Sequence, residues 1–301
     1  MRVENAVTPA DRAWGAFSDN PPWILDRDNV RWRGLVEGLR AQARTELPSL
    51  MAAPRVPPVR RLVVVVYTLG KALAPWWWKR RRKKYASPEE SRADLSLRMR
   101  HAIERLGSTY IKLAQIISSG EGLFPTELVE EFKRCRDQVP AESFDDVRLV
   151  VEGDLGARIE DVFASFSTTP IAAASIAQVH AAVLRTGESV VVKVQRPQVG
   201  VLVRKDLKVM AWLAPFLVGR IKVAALANPP ALVELFAETI VEELDFRLEA
   251  SNMLDIASIL ADLKQDGYVI PRPHAELVTR RVIVMERLEG FKFDDVAGMK
   301  D

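Results

Sequence analysis

The stretch that decides the fold is residues 170–195, which read PIAAASIAQVHAAVLRTGESVVVKVQ. It contains two β-rich runs, residues 176–184 and 189–195, joined by a Thr-Gly-Glu sequence that is typical of a hairpin turn. A loop of small residues precedes the first run, and Lys193 lies inside the second. A loop that can cover phosphates, followed by a lysine on a strand, is the order found in nucleotide-binding lobes. We therefore predict that this hairpin is the front of such a lobe.

Composition and charge limit the classes to which the chain can belong. Of its 301 residues, 48% are hydrophobic and 28% are charged, so the chain can bury a sizeable core and is not globally disordered. The single cysteine, Cys135, excludes an internal disulfide and fits a reducing compartment. The three histidines are scattered, so we predict no metal site. The N-terminus lacks a basic stretch followed by an apolar core, so we expect no signal peptide.

The order of predicted elements indicates an α+β lobe behind a helical extension. We expect residues 1–60, rich in Pro, Arg and Trp, to form a loosely structured arm, in which residues 28–50 could form a helix. Residues 87–169 should form the helical extension. A capping box at Ser87 predicts a helix that continues to about residue 119. A second helix should follow Pro125, and a third should cover residues 144–155 with Asp145 as its cap. Within the lobe, residues 170–301, helical spacing covers residues 199–218 and 231–263, and strand-like runs cover residues 268–271 and 278–288.

Residues 61–86 combine an apolar run, adjacent tryptophans and adjacent cations. The apolar run, residues 62–78, contains Lys71 and Pro75 and is shorter than the ~20 clean apolar residues of a spanning helix. Indoles beside cations suit the interface of an anionic membrane. A buried helix followed by a solvated basic loop, and a nucleic-acid patch, are the alternatives. The residues assigned to a membrane interface are Trp76, Trp77, Trp78, Lys79, Arg80, Arg81 and Arg82.

Lys193 requires an anion if its strand is buried, because an unpaired ammonium group is costly to bury. Glu243 and Asp245, in the sequence VEELDF, are candidates on the predicted helix of residues 231–263. A ligand phosphate is another candidate, and an edge-strand lysine that points at water is the alternative. Glu249 and Asn252 could brace the site or lie on a solvated helix face. We expect Cys135 to be an inert thiol and His180 to be a packed side chain.

Five segments in order carry a resemblance to a known family. They are YIKLAQ (residues 110–115), PIAAASIAQVH (170–180), VVVKVQRP (190–197), VEELDFRLEASN (241–252) and VIVMERLEG (282–290). Together they resemble the UbiB/AarF-type atypical protein kinase-like family, over about residues 87–298. The resemblance implies a protein-kinase-like N-lobe, an antiparallel sheet with an αC-type helix, behind a helical extension.

The resemblance also implies a role for each matching residue. Lys193 would pair the nucleotide phosphates, with Glu243 as its ion-pair partner and Asp245 as the second acid of a Glu-x-Asp motif. The loop over the phosphates would be formed by Ala173, Ala174 and Ser175, and the backbone at Glu286 and Leu288 would hold adenine. Lys112 and Gln115 match a Lys-x-Gly-Gln motif on a lid helix, except that this sequence has Ala114 in place of the glycine.

No catalytic-loop motif and no Asp-Phe-Gly string occur in the sequence, so we expect an N-lobe that stops after the linker between lobes, with the C-lobe missing. The resemblance implies binding of ATP with Mg²⁺, whose ligands would lie in that C-lobe. It further implies a kinase or ATPase that supports ubiquinone or menaquinone biosynthesis, cytoplasmic and peripheral at an anionic membrane. Its partners would be quinone-biosynthesis proteins or an isoprenoid lipid, and not nucleic acid. A truncated, catalytically silent module that binds membrane or a partner is the alternative function.

Overall fold

The computed structural model describes residues 30, 32–52, 56–135, 141–218, 228–265 and 268–290. The first 29 residues of the predicted arm, and the residues after 290, lie outside this part. The helices are α1 (Val36–Met51), α2 (Val59–Arg81), α3 (Pro88–Leu106), α4 (Ser108–Ser118), α5 (Thr126–Lys133), α6 (Phe144–Leu155), α7 (Ile159–Val162), α8 (Val199–Leu217), α9 (Pro229–Glu243) and α10 (Phe246–Asp262). The strands are β1 (Phe163–Phe166), β2 (Ala172–Ala173), β3 (Ala177–Leu184), β4 (Ser189–Gln195), β5 (Pro273–Val278) and β6 (Val282–Glu286).

The strands form one antiparallel sheet in the order β1-β3-β4-β6-β5, and β2 pairs with β3. The predicted hairpin is confirmed as β3 and β4, with Ala177 opposite Gln195 and Val183 opposite Ser189. Gly187 occupies the turn with φ 101°, a conformation that a residue with a side chain rarely adopts. The α+β class predicted from the sequence is thus confirmed, with helices before the sheet and between its strands.

The two faces of the sheet differ in what covers them. On one face, Val190, Val192 and Val194 are buried against Val147 and Val151 of α6. Because successive side chains on a strand point to opposite faces, Val191 and Lys193 lie on the other face. Both are only partly buried. The alternation along β4 therefore places Lys193 on the face that α6 does not cover. Helix α10 packs against the neighbouring strands β5 and β6.

Helices α1, α2, α4, α8, α9 and α10 enclose the larger hydrophobic core. Its fully buried members include Leu207, Phe236, Ile240, Phe246 and Leu254. Helix α9 contacts α1, α4, α8 and α10. The extension and the lobe therefore share one core, and this fixes where α4 lies relative to the sheet.

Part of the expected loose arm is ordered. Val36 and Leu47 of α1 are buried, and Trp32 is 4% exposed, with its indole N–H donating to the Ala275 oxygen at 3.1 Å. Burial of an indole with its N–H paired stabilises a defined position for this segment. The helix expected within residues 28–50 is therefore present as α1, and the arm has a defined structure over residues 32–51.

Helices α3 and α4 replace the single helix predicted for residues 87–119. The start is as predicted, because Ser87 Oγ accepts from the Glu90 N–H at 3.2 Å. The helix ends at Gly107, whose φ of 95° and ψ of −165° are accessible to glycine but costly for other residues. The apolar spacing continues across this break, so periodicity alone did not reveal it.

A second break replaces the single helix predicted for residues 231–263. Helix α9 ends at Glu243, and α10 starts after Asp245, whose carboxylate accepts from the Arg247 N–H. Elsewhere, Ser143 and not Asp145 caps α6. The expected strand at residues 268–271 is wrong, because β5 begins at Pro273.

Candidate nucleotide site

Lys193 lies on the partly open face of the sheet and is paired with Glu249 of α10. Its Nζ donates to both carboxylate oxygens of Glu249, each at 2.7 Å. The side chains are 22% and 36% exposed, and the ammonium group also lies 4.9 Å from the centre of the Phe246 ring. The lysine therefore has the anion that its strand position requires, and a small anionic ligand could approach the pair from solvent.

The predicted ion pair between Lys193 and Glu243 is wrong. Glu243 is the last residue of α9, and its Oε1 lies 2.6 Å from Nζ of Lys112 on α4. The break between α9 and α10 separates the two glutamates onto different helices, so that each meets a different lysine. The sequence signal for this was Asp245 itself, because an Asp just before an apolar helical run indicates an N-cap and hence a new helix.

Asp245 holds the start of α10. Besides capping the helix, its carboxylate accepts from Nε of Arg247 at 2.9 Å and from Nη2 at 2.6 Å. The N–H of Phe246 donates to the oxygen of Arg280, in the turn before β6, at 3.0 Å. The bonds of Asp245 fix the first turn of α10, and the bond to Arg280 ties this turn to the sheet. They thereby set the position of Glu249, one turn further along.

The alanine-rich loop leads from β2 into β3. Ala172 and Ala173 pair with Val179 and Gln178, and the Ala174 N–H donates to the Ala177 oxygen at 2.8 Å. Ala173 and Ala174 are partly exposed, and Ser175 is 4% exposed. The loop is thus a tight turn whose outer surface carries only methyl groups and backbone.

The predicted linker residues lie at the other end of the site. Glu286 is buried opposite Val190, and its N–H donates to the Arg272 oxygen at 2.9 Å. Leu288 lies in the irregular segment after β6 and is 42% exposed. Met285 lies opposite Val191, and Val191 opposite Ala181, so three partly buried apolar side chains form a row across β3, β4 and β6.

The lid motif lies on α4, which contacts α8 and α9. Lys112 connects α4 to the C-terminal end of α9 through its ion pair with Glu243. Gln115 is partly exposed. Ala114, where the resemblance has glycine, is 0% exposed and belongs to the larger core. The methyl group is thus accommodated within the core of this chain.

The tryptophans and cations predicted for a membrane interface lie at the end of α2. Trp77 and Trp78 are exposed and stack with Arg81 and Arg82, with guanidinium-to-ring distances of 5.3 and 5.2 Å. Trp76 differs, because its indole N–H donates to the Ser91 oxygen at 3.0 Å and its ring is partly buried between α2 and α3. Among the residues that the structure describes, no helix has the length and the apolar character needed to cross a bilayer.

The two remaining candidate residues, Cys135 and His180, are buried side chains. Cys135 is buried, and burial raises the pKa of its thiol to about 11. His180 is fully buried between Gln178 and the Ser167 oxygen, and its desolvation lowers its pKa. No group of three or more His, Cys, Asp or Glu among the described residues could hold a metal ion. The structure confirms a packed histidine, and the thiol is buried.

Sequence reasoning did not identify two ion pairs in which one partner is buried. Asp206 of α8 is 0% exposed and accepts two hydrogen bonds from Arg61 of α2, at 2.5 and 3.0 Å. Arg196, next to the alanine-rich loop, pairs with Glu142 at 2.7 Å. Neither pair has a local sequence signal, because the partners are far apart in the chain.

Comparisons with known proteins identify a family and several relatives of this chain. The family model described as an ABC1 atypical kinase-like domain matches residues 134–301, more than half of the chain. An uncharacterized protein of Mycobacterium tuberculosis (strain ATCC 25618 / H37Rv) is 40% identical over 65% of this chain and 40% of its own length. A probable protein kinase UbiB of Marinobacter nauticus is 36% identical over 76% of this chain and 40% of its own length.

An uncharacterized aarF domain-containing chloroplastic protein kinase of Arabidopsis thaliana is 37% identical over 68% of this chain and 38% of its own length. A solved complex of Rv3197 with erythromycin from Mycobacterium tuberculosis matches 58% of this chain and 44% of the other at 30% identity, with a TM-score of 0.38. The chain spans about two fifths of the length of these curated relatives. From the family match over residues 134–301, the chain belongs to the ABC1 atypical kinase-like family.

Proposed function

We propose that this chain binds ATP with Mg²⁺ on the partly open face of its sheet, as the nucleotide-binding part of a UbiB-type atypical kinase or ATPase. The observation that carries the proposal is the Lys193–Glu249 pair, whose lysine lies on β4, the strand next to β3, into which the tight loop of small residues leads. A strand lysine oriented by a helix glutamate is how kinase lobes hold nucleotide phosphates. When bound, ATP supplies the phosphoryl group, and the residues of this chain bind and orient it.

The side chains on this face fit a nucleotide. The row Ala181, Val191 and Met285 offers an apolar surface for a purine, in line with the predicted contact of adenine with the backbone at Glu286 and Leu288. Lys193 lies two residues along β4 from Val191, about 7 Å away, where phosphates attached to such a purine would need a cation. The loop of Ala173, Ala174 and Ser175 would cover these phosphates with its backbone.

The lid assignment extends the site to α4. Lys112 stands against Glu243 and is 24% exposed, so its ammonium group can move between this carboxylate and an anionic ligand. We assign Lys112 and Gln115 to a lid that restricts access of large substrates, which favours a small or lipid substrate. Asp245 acts by fixing α10, and the ligands for Mg²⁺ would lie outside the described residues.

The test of nucleotide binding is thermal unfolding with and without Mg·ATP. The wild-type chain should be stabilised by saturating nucleotide, because a ligand that binds only the folded state raises its stability. Lys193→Ala should abolish this stabilisation, while Lys208→Ala, on the exposed side of α8, serves as the matched control and should retain it. Equal stabilisation of wild type and Lys193→Ala would overturn the site assignment.

We also assign a peripheral membrane contact to the outer face of α2. Val63, Tyr67, Trp77 and Trp78 are 59%, 66%, 47% and 52% exposed and recur at helical spacing, while Val65 on the opposite side is 1% exposed. No acidic residue occurs from residue 55 to 88. An exposed apolar stripe flanked only by cations matches an anionic lipid interface, where the helix would lie in the plane of the surface. We propose, from the family resemblance, that this membrane contact supports a role in isoprenoid quinone biosynthesis.

Flotation with vesicles that contain anionic phosphatidylglycerol tests this contact. Tyr67→Asp should reduce flotation, because it places a carboxylate in the apolar stripe. Leu149→Asp is the matched control, since Leu149 is 72% exposed on α6, away from α2. Undiminished flotation of Tyr67→Asp, or salt-dependent nucleic-acid binding without flotation, would contradict the membrane assignment.

A further inference from the structure

Arg196 follows β4 directly and contacts the alanine-rich loop twice. Its guanidinium Nε donates to the Ala174 oxygen at 3.1 Å, and its backbone N–H donates to the Ile176 oxygen at 3.0 Å. Its side chain is 7% exposed, and Nη1 donates to Oε1 of Glu142 at 2.7 Å. One residue therefore holds the carbonyl groups on both sides of Ser175.

Glu142 is itself held by a buried chain of hydrogen bonds. Its backbone N–H donates to Oε1 of Gln178 at 2.8 Å, and Nε2 of Gln178 lies 2.8 Å from Nε2 of His180. Nδ1 of His180 lies 2.8 Å from the Ser167 oxygen, which can only accept, so Nδ1 carries the proton and Nε2 accepts from Gln178. Gln178 and His180 are 1% and 0% exposed. Each of these hydrogen bonds has a defined donor and acceptor. Together they fix the position of Glu142 beside Arg196.

The two carbonyl contacts determine how the loop backbone is oriented. In a planar trans peptide the C=O and N–H groups point in opposite directions, and no cis peptide occurs among the described residues. With the Ala174 oxygen directed at Arg196, the N–H of Ser175 must point to the opposite side of the loop. No backbone oxygen among the described residues accepts from that N–H. Ser175 is 4% exposed, and N–H groups of buried residues are normally paired.

We propose that Arg196 is a positioning residue of this loop, and that it turns the Ser175 N–H toward the place where a nucleotide phosphate oxygen binds. The inference rests on the proposed nucleotide binding and adds a residue outside the predicted site. Arg196 acts through the Ala174 and Ile176 carbonyls and does not touch the ligand. Lysine cannot replace it, because a single ammonium group lacks the fork that reaches Ala174 and Glu142 together.

Hydrogen exchange without nucleotide tests the hold of Arg196 on the loop. In Arg196→Lys the Ala174 N–H, which donates to the Ala177 oxygen, should exchange at least about tenfold faster than in the wild type, because the turn loses a buried charge-assisted contact. Arg100→Lys is the matched control, since Arg100 of α3 pairs with Glu131 at 2.8 Å, and α3 packs on α2, α4 and α5. Glu142→Gln should also speed exchange of the Ala174 N–H, but by a smaller factor than Arg196→Lys. Wild-type exchange of the Ala174 N–H in Arg196→Lys would overturn the proposal.

Binding of ATP and of adenosine tests the consequence for the ligand. Arg196→Lys should lower the affinity for ATP by about tenfold or more, which is the effect of losing one hydrogen bond to a charged group. It should leave the affinity for adenosine unchanged. A structural defect would weaken both ligands equally, and that result would also overturn the proposal. A wild-type chain that binds neither ligand would overturn the proposed function, and with it the inference that the Ser175 N–H faces a phosphate oxygen. The hydrogen-exchange comparison would still decide whether Arg196 fixes the loop backbone.

Discussion

The pairing of Lys193 with Glu249 and not with Glu243 predicts a specific pattern of energetic coupling. The perturbation is a pair of double-mutant cycles, one with Lys193→Met and Glu249→Gln and the other with Lys193→Met and Glu243→Gln. A cycle isolates the interaction between two side chains from their separate contributions. The glutamines keep the shape of the glutamates and remove only the charge.

The magnitude follows from the geometry of the pair. Lys193 reaches both oxygens of Glu249 at 2.7 Å with side chains 22% and 36% exposed. Exposed ion pairs contribute about 0.2–1 kcal/mol, and charge-assisted hydrogen bonds about 1.5–3 kcal/mol. For this half-buried pair we expect a coupling of about 1–2 kcal/mol. Lys193 and Glu243 share no contact, so their coupling should stay below about 0.5 kcal/mol.

The assay is urea unfolding of each variant at pH 7, followed by circular dichroism. High salt should reduce the coupling energy between Lys193 and Glu249 only modestly, because the pair is shielded from solvent on one side. Glu243→Gln should still destabilise the chain, through loss of its contact with Lys112 at 2.6 Å. A coupling between Lys193 and Glu243 as large as that between Lys193 and Glu249 would refute the reasoning.

Three further predictions concern stability and are measured by urea unfolding. Ala114→Gly should cost about 2 kcal/mol, from lost helix propensity and one buried methyl group, and a cost below about 0.5 kcal/mol would contradict its burial in the core. Ser87→Ala should cost about 1 kcal/mol through loss of the cap on α3, and Ser87→Asp should restore most of it. Burial lowers the pKa of His180 and of His274, so the unfolded chain takes up protons first as the pH falls. The free energy of unfolding should therefore decrease below about pH 6.5, and a constant value from pH 7.5 to 5.5 would count against this account.

The elements that the sequence predicts well are those whose signals are local. The β3–β4 hairpin has its turn glycine at Gly187 and uninterrupted β-rich runs on both sides. Helix α6 ends at Gly156, in the left-handed conformation that its sequence indicates. In each case the residue that ends the element is adjacent to the pattern it ends, and no distant contact is needed to interpret it.

The elements that the sequence predicts poorly are those where tertiary contacts decide between two local possibilities. Apolar spacing continues through Gly107 and through Leu244, although the chain turns at both places. A helix advances by about 100° per residue, so a break changes which residue faces the sheet. This is why Glu249, and not Glu243, meets Lys193. The partners of Arg196 could not be predicted either, because Glu142 is 54 residues away along the chain.

The most direct test of the central claim is chemical labelling of Lys193 by an acyl phosphate derivative of ATP. A lysine amine that lies against the bound phosphates attacks the acyl carbonyl, so that an amide forms and ATP is released. Mass spectrometry of the digested chain then identifies the modified residue. The account predicts that Lys193 is acylated and that excess ATP prevents the reaction. Acylation confined to exposed lysines such as Lys79, or acylation of Lys193 that excess ATP does not reduce, would contradict it.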